Sequence, residues 1–382
     1  MSRLSTAAAA FLAMGLAAGV SYADALSTPA MGATLAANPA PFSVDAGPAG
    51  KVYVGGALTG LGLWQDNAAP GDKRGQFDVS NAQLFIQKTD GPVQFYIQAG
   101  VYSLPSLGAP YVKAGSAVTN FFGAAPVAYL KLQPNSVFSV QVGELPTLIG
   151  AESTFTFQNI NIARGLLWNQ EPAVSRGVQF NYSQGKISAS LSLNDGFYSD
   201  KYDWLSGSLA YAVTPADTVT LVGSGAFGHD SRSTLATPLA QNNSEIYNLI
   251  FTHAKGPWSV TPYLQYARTH AEPALGLDQE ASTLAGALLA KYSFTPKFSL
   301  GGRAEYIASH GSAAGGAPNL LYGDGSKAWS VTLTPTWQDK IFFVRGEVSY
   351  TAATDVSPGL AFGSQGAAKS QTRGMVETGF LF

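Results

Sequence analysis

The chain of 382 residues has no cysteine and little charge, since Lys, Arg, Asp and Glu together make up 12% of it. Without cysteine, disulfide bonds and thiol chemistry are excluded. There are only four histidines, and they are not spaced as metal ligands usually are. They are His229, His253, His270 and His310. The sequence therefore predicts no enzyme, no metal and no other cofactor.

The few charges are nearly balanced, with 22 Lys and Arg residues against 24 Asp and Glu residues. Proteins that bind nucleic acids usually carry a basic excess, which neutralises phosphates. Nucleic acid is therefore not expected as a partner.

The chain also lacks a long apolar run after its first 23 residues, although 46% of it is hydrophobic. The best candidate, 281–290, has ten residues bounded by Glu280 and Lys291, whereas a transmembrane helix needs about 20. Only helices and closed barrels satisfy every backbone hydrogen bond in lipid. A chain this apolar and this poor in charge is therefore predicted to be all-β, a transmembrane antiparallel β-barrel.

The first 23 residues have the pattern of a secretory signal peptide. Arg3 supplies the positive start, 6–20 is uncharged and largely apolar, and small residues stand at Ser21 and Ala23. A retained anchor is the alternative.

Residues 24–50 are rich in Ala, Pro and Gly, and we interpret them as a flexible lead-in, with a plug inside the pore as the alternative. The barrel is assigned to 51–382.

From residue 51 onward, short turns alternate with long polar segments. The turns combine residues that suit turn backbone angles and interrupt a strand. They lie at 89–92, 133–136, 184–186, 214–217, 255–257, 295–297 and 338–340. The long segments lie at roughly 64–76, 104–126, 144–176, 196–203, 229–243, 269–280, 310–327 and 352–372. This pattern predicts about 16 strands, within two, with short periplasmic turns, long extracellular loops and both termini periplasmic.

The segment 329–337 shows the alternation that a barrel strand requires. Trp329 and Trp337 share its apolar face, and the opposite face carries Thr332 and Thr334. The two tryptophans stand eight residues apart, as expected for aromatic girdles at the two membrane surfaces. A soluble antiparallel sandwich with its apolar face inward is the alternative.

The last residues alternate in the same way and end on Phe382. One face carries Val376, Thr378, Phe380 and Phe382. The other face holds Arg373 and Glu377. A terminal aromatic strand of this kind resembles the closing strand of bacterial outer-membrane barrels. The barrel-assembly machinery recognises that strand. Phe382 is therefore expected to act as an assembly signal.

Two motifs that suggest chemistry are rejected. Residues 223–228 match a dinucleotide-binding pattern, but a polar loop follows where that fold needs a helix. His229, Asp230 and Ser231 are the residue types of a hydrolase triad, but a triad converges from separate positions in the fold.

The segment 144–176 is the longest loop and is dense in charge for this chain. It is either a solvated extracellular loop or a loop folded into the barrel, with its charges opposing those of the inner wall. In the second case the loop contributes Glu144, Glu152, Arg164 and Glu171 to a pore constriction. The wall contributes Arg303, Glu305, Arg345, Glu347, Arg373 and Glu377. Charges of both signs at similar depth would create a transverse field that favours polar solutes.

Three stretches around this loop resemble the OmpL-like family of β-barrel porins. They are 143–152 (GELPTLIGAE), 159–164 (NINIAR) and 177–182 (GVQFNY). The resemblance covers about 143–196, and elsewhere it rests on architecture. It implies a porin of the outer membrane.

We therefore expect an outer-membrane porin of a Gram-negative bacterium, through which small hydrophilic solutes diffuse passively in a water-filled barrel. Its further expected partners are outer-membrane lipid and the barrel-assembly machinery, and a homo-oligomer is left open. The alternative is a barrel that serves as a surface-binding or structural protein without an open channel.

Overall fold

The computed structural model describes residues 35–382. The predicted signal peptide, 1–23, and the first part of the predicted lead-in lie outside the described residues. The described part confirms the predicted fold class. Sixteen long antiparallel strands, β2 to β17, each pair with the next, and β17 pairs with β2 to close the barrel.

The strands are β1 Phe42–Asp45, β2 Lys51–Gln65, β3 Gly75–Lys88, β4 Val93–Tyr102, β5 Val127–Leu132, β6 Phe138–Pro146, β7 Val174–Gln184, β8 Ile187–Asn194, β9 Trp204–Ala212, β10 Asp217–Ala226, β11 Ser244–Lys255, β12 Trp258–Thr269, β13 Ala281–Ser293, β14 Phe298–His310, β15 Lys327–Asp339, β16 Phe342–Thr354 and β17 Ser370–Leu381.

All helices in the described part are short. Two α-helices are Ala114–Ala117, which continues into a π-helix at Val118–Phe122, and Leu239–Asn242. The 3-10 helices are Gly47–Ala49, Thr156–Gln158, Leu167–Gln170, Pro273–Leu275 and Ala313–Gly315. None of the helices in residues 35–382 has the length and apolar character needed to cross a membrane.

The connections follow the predicted asymmetry. Each of the seven predicted turns joins two neighbouring strands at one end of the barrel, and each of the eight long segments contains a loop at the other end. Strand β2 also has an irregularity in its pairing with β3. At Thr59 and Gly60 the register of β2 against β3 shifts, and Ser80 is the extra residue. Such a bulge bends the strand locally.

Strand β1 was not predicted. For residues 42–45 it corrects the interpretation of 24–50 as a flexible lead-in. β2 extends beyond the end of β17, so its first residues have a free edge there. Unpaired backbone groups on a strand edge favour pairing. The chain reverses through Gly47–Ala49, and Phe42–Asp45 pairs with the first residues of β2.

The predicted faces of the strands are confirmed along β15. Trp329 and Trp337 point outward with 43% and 40% of their surface exposed, whereas Thr332 and Thr334 point inward and are buried. Eight residues of strand tilted by 35–45° correspond to a height of about 21 Å, close to the ~25 Å apolar band of outer-membrane barrels. The aromatic girdle at the turn end continues along neighbouring strands, where Trp258 and Tyr292 have ring centroids 4.6 Å apart, and Phe342 and Phe380 5.2 Å apart.

Phe382 follows the last residue of β17 and continues its ladder. Its N–H donates to the Gly56 carbonyl at 3.0 Å, and its carbonyl accepts from the Gly56 N–H at 2.7 Å. A Cβ at position 56 would lie 2.6 Å from the Phe382 ring. It would also lie 2.6 Å from the backbone carbonyl oxygen of Gln83, so the close packing beside the seam between β17 and β2 requires glycine at position 56.

We expect an epitope tag inserted at 231–235, which is exposed in the loop after β10, to bind antibody on intact cells. A tag in the turn 214–217 should bind only after permeabilisation, because turns and loops lie at opposite ends of the barrel. Flow cytometry on intact and permeabilised cells measures both. Equal labelling of the two tags on intact cells would contradict the orientation.

Candidate functional site inside the barrel

The third long loop, 147–173 between β6 and β7, folds into the barrel. Its residues 154–167 are all buried. The N–H of Gly150 donates to Oδ1 of Asn248 on β11 at 3.1 Å, and Nδ2 of Asn161 donates to Oγ1 of Thr334 on β15 at 2.7 Å. The loop therefore crosses the interior and is not the solvated extracellular loop of the alternative interpretation.

The first attachment of this loop is at the ion pair of Arg345 on β16 and Glu377 on β17. Nε of Arg345 donates to Oε2 of Glu377 at 2.8 Å, and both side chains are buried. The guanidinium also donates to the carbonyls of Thr156 at 2.6 Å and Asn159 at 3.1 Å, and the Thr156 hydroxyl donates to Glu377 at 2.6 Å. A buried ion pair is tolerated only if its other hydrogen-bonding groups are satisfied. Here the loop satisfies them.

The second attachment is at Glu347 on β16. Its carboxylate accepts from the backbone N–H groups of Ile162 at 2.5 Å and Ala163 at 3.1 Å. The Thr334 hydroxyl donates to the same carboxylate at 2.9 Å. Hydrogen bonds to an ionised acceptor are stronger than neutral ones, so this carboxylate fixes the middle of the loop against the wall.

The third attachment is at Arg303 on β14. Its guanidinium lies 2.6 Å from Glu152 of the loop and 3.2 Å from Glu305, its neighbour on the wall. It also donates to the carbonyl of Ala163 at 2.8 Å. Glu152 in turn accepts from the N–H of Gly165 at 2.8 Å. Arg303 thus joins two parts of the loop, one at Glu152 and one at Ala163.

Arg373 on β17 holds a second loop, 103–126 between β4 and β5. It donates to the carbonyls of Ser106 at 2.7 Å and Ala109 at 3.2 Å. The two loops are joined directly, because the N–H of Leu107 donates to the carbonyl of Arg164 at 2.8 Å. The interior therefore contains two connected loops.

Arg164 is enclosed by its own loop. One end of its guanidinium donates to the carbonyl of Thr154 at 2.6 Å, and the group lies over the Trp168 ring at 4.5 Å. The side chain is fully buried. Within this structure it supports the fold of the loop and does not line a water-filled path, which corrects its predicted place.

Glu171, near the end of the loop, is buried, and neither of its carboxylate oxygens has a hydrogen-bond partner among the described residues. It lies against Gly150, where a Cβ would come within 1.9 Å of Oε2. Burial raises the pKa of this carboxyl well above its ordinary value, and the nearby charges of Glu152 and Glu305 raise it further.

Glu144 does not belong to this cluster, which corrects its prediction as a constriction residue. It stands on the outward face of β6, two residues beyond exposed Val142, and pairs in the ladder with Arg176. The Tyr198 hydroxyl donates to it at 2.8 Å. The structure brings the other nine predicted residues together inside the barrel, most of them as attachments for the loops.

The sequence reasoning missed the polar partners of these charges. For Thr334 a signal existed, since it stands on the predicted inward face of 329–337. For the carbonyls of Thr156 and Asn159 there was none, because a backbone carbonyl leaves no mark in the sequence.

A closed sixteen-stranded barrel with a loop folded into its interior defines the porin class of outer-membrane barrels. The chain belongs to the family described as Putative beta-barrel porin-2, OmpL-like, whose sequence pattern it matches over residues 51–382. This confirms the resemblance found in 143–196. The protein is an outer-membrane porin of Gram-negative bacteria.

Several solved structures share the fold. The outer-membrane channel DcaP of Acinetobacter baumannii aligns with a TM-score of 0.58 at 11% identity, covering 87% of this chain and 97% of that one. OmpT of Vibrio cholerae gives 0.56 at 11% identity, with 87% and 98% covered. OmpF of Salmonella typhi, in a complex with daunomycin, gives 0.55 at 14% identity, with 89% and 100% covered. At these identities the likeness shows the fold alone.

No curated protein sequence is significantly similar to this chain.

We expect Glu171→Gln to stabilise the protein at neutral pH, because a neutral amide avoids the cost of ionising a carboxyl that is buried without a partner. Because the folded-state pKa of Glu171 is raised, its contribution to stability is complete in acid and is lost as the pH rises through that folded value. The variant should therefore unfold near the parent's temperature at about pH 4 and above it at about pH 8. Circular-dichroism melting in detergent measures the difference.

The matched control is Glu280→Gln, at an exposed carboxylate paired with Arg268 at 2.6 Å. Exposed ion pairs contribute little, so this variant should melt close to the parent at both pH values. If Glu171→Gln behaves like the control throughout, the Glu171 carboxylate is not held unpartnered.

Proposed function

We propose that the protein is a passive diffusion channel for small hydrophilic solutes, and that loop 147–173 narrows the path. The observation that supports this best is that the ionic attachments of the loop are concentrated on one part of the wall. Its ionic attachments, at Arg303, Arg345 and Glu347, all lie on β14 and β16. A sixteen-stranded barrel is wide enough for an aqueous path beside such a loop.

In this proposal the transverse field is weaker than the sequence suggested. Arg345 is paired with Glu377, Arg303 contacts Glu152 and Glu305, and Glu347 receives backbone N–H groups. Charges paired at contact distance largely cancel at the distance of a passing solute. The width of the path would therefore contribute more to selection than the ten predicted charges.

We also propose that the protein has no catalytic activity. Nε2 of His229 lies 3.2 Å from Glu272 on a different loop. Asp230 accepts from Nδ2 of Asn242 at 3.0 Å. The first contact joins two extracellular loops, the second lies within one loop, and neither one links His229 to Ser231.

The role of Phe382 as an assembly signal is a proposal too, supported by its place beside the closing seam. Deleting Phe382 should lower the amount of heat-modifiable protein in the outer membrane, measured by gel mobility of boiled and unboiled samples. Phe382→Ala, which removes only the ring, should give a similar loss if the barrel-assembly machinery recognises the aromatic group. Normal insertion of both variants would contradict the assembly role.

The channel proposal is tested by current measurements in planar bilayers. The purified protein should give a steady ohmic current. Arg345→Met combined with Glu377→Gln removes one attachment without leaving an unpaired charge, so loop 147–173 should be looser. We expect a higher conductance and more current noise in this double variant than in the parent.

The matched control is Arg268→Met with Glu280→Gln, an ion pair at the extracellular rim on the outward face. Its conductance should equal that of the parent. If the folded parent carries no current, the channel proposal fails and the surface-binding alternative is favoured. If the current flows but both double variants match the parent, the loop does not narrow the path.

A further inference from the structure

The inner wall of the barrel is divided into a charged part and an uncharged part. In strands β6 to β12, all of which the structure describes, every Asp, Glu, Lys, Arg and His stands in register with the outward-facing residues. These are Glu144, Arg176, Asp217, Glu245, His253, Lys255 and Arg268. The inward positions of seven consecutive strands are therefore uncharged. The inward charges of β14, β16 and β17 lie elsewhere on the wall and hold the loops.

The uncharged part is rich in hydroxyl and amide groups, and these groups form rows around the barrel. One row runs through Gln141, Gln179, Ser192, Ser206 and Ser224, each paired with the next across the ladder from β6 to β10. Nε2 of Gln179 donates to Oε1 of Gln141 at 3.0 Å, and the hydroxyls of Ser206 and Ser224 lie 2.9 Å apart. The row is thus a continuous band of dipoles.

A second row lies closer to the turns, and part of it is reachable from the interior. Asn181, Ser190 and Ser208 follow each other across β7, β8 and β9, and Ser190 donates to Oδ1 of Asn181 at 2.8 Å. Ser208 on β9 and Thr220 on β10 are half-buried. Further along the same wall, the hydroxyl of Tyr263 on β12 is buried and has no hydrogen-bond partner among the described residues.

This chemistry fits one class of solute. A hydroxyl group both donates and accepts, as do Ser and Thr side chains, and amides supply both functions at separate atoms. A solute with many hydroxyls can exchange its hydrogen bonds to water for hydrogen bonds to such a wall. An ion would lose hydration there without an opposite charge in the wall to replace it.

We propose that the wall of β6 to β10 binds and passes neutral polyhydroxylated solutes, such as sugars and polyols, in preference to ions of the same size. This inference rests on the channel function and names its substrate class. Two charged groups lie next to this wall. Lys131 stands on the inward face of β5 with buried Val127 and Tyr129 and pairs in the ladder with Gln141, so it would favour anions if it dominated. Glu171 contacts Gly150, which is bonded to Asn248 of β11, and it would favour cations if it dominated.

The test compares glucose with two charged six-carbon derivatives of nearly equal size in proteoliposomes that contain the full mature protein. Radiolabelled glucose is neutral, glucosamine is a cation and gluconate is an anion, and all three are supplied at tracer concentration in the same salt. We expect glucose to enter faster than either charged sugar by about fivefold, the factor that one net hydrogen bond is worth.

Ser208→Asp places a charge in the wall and should reduce this preference by lowering glucose entry and raising glucosamine entry. Ser312→Asp is the matched control, because Ser312 is exposed in an extracellular loop. It should keep the parent's preference. Gel mobility of unboiled samples shows that each variant is folded.

Equal entry of the three sugars in the parent would overturn the inference and leave the channel proposal intact. Faster entry of glucosamine that disappears in Glu171→Gln would also overturn it, since the loop carboxylate would then set the selectivity. If folded parent protein admits none of the three sugars and carries no current, the channel proposal itself has failed.

Discussion

The pairing of β17 with β2 is the constraint on which the rest of the structure depends. In hydrocarbon an unpaired backbone group costs several kcal/mol, so the sheet must have no free edge. Closing it puts one face of every strand toward lipid. At membrane depth that face excludes charge, so the charged residues there must stand on the inner face. The low charge content and the alternation along each strand both follow from this closure.

An inward charge must in turn find partners, and here the loops provide them. The helices within loop 147–173 have only three and four residues, Thr156–Gln158 and Leu167–Gln170. So short a structure has little stability of its own. It is held because Arg345, Glu347 and Arg303 bind its backbone and one of its two carboxylates, Glu152. The wall charges thus determine the path of the loop more than its own sequence does.

The sequence predicted those features that follow from local rules. Turn residues and alternation gave the seven turns, the eight loops and the inward direction of Arg303 or Glu377. It could not predict β1, whose pairing exists only because β2 extends past β17. Nor could it show that Arg345 contacts carbonyls of residues far away in the chain. The wrong prediction for Glu144 was avoidable. Every second residue after Phe138 lies on the same face of the strand, and Phe138 is exposed, so Glu144 lies on the outward face.

The strands differ in length around the barrel, and the bilayer must respond to this. β5 has six residues and β15 has thirteen. At the usual tilt, six residues reach a height of about 15 Å, well below the ~25 Å apolar band. Hydrophobic mismatch is therefore concentrated on one side of the molecule. On that side the bilayer must become thinner, or the difference in height must be covered. The energy of that deformation is greatest beside β5, where the wall of the barrel is shortest.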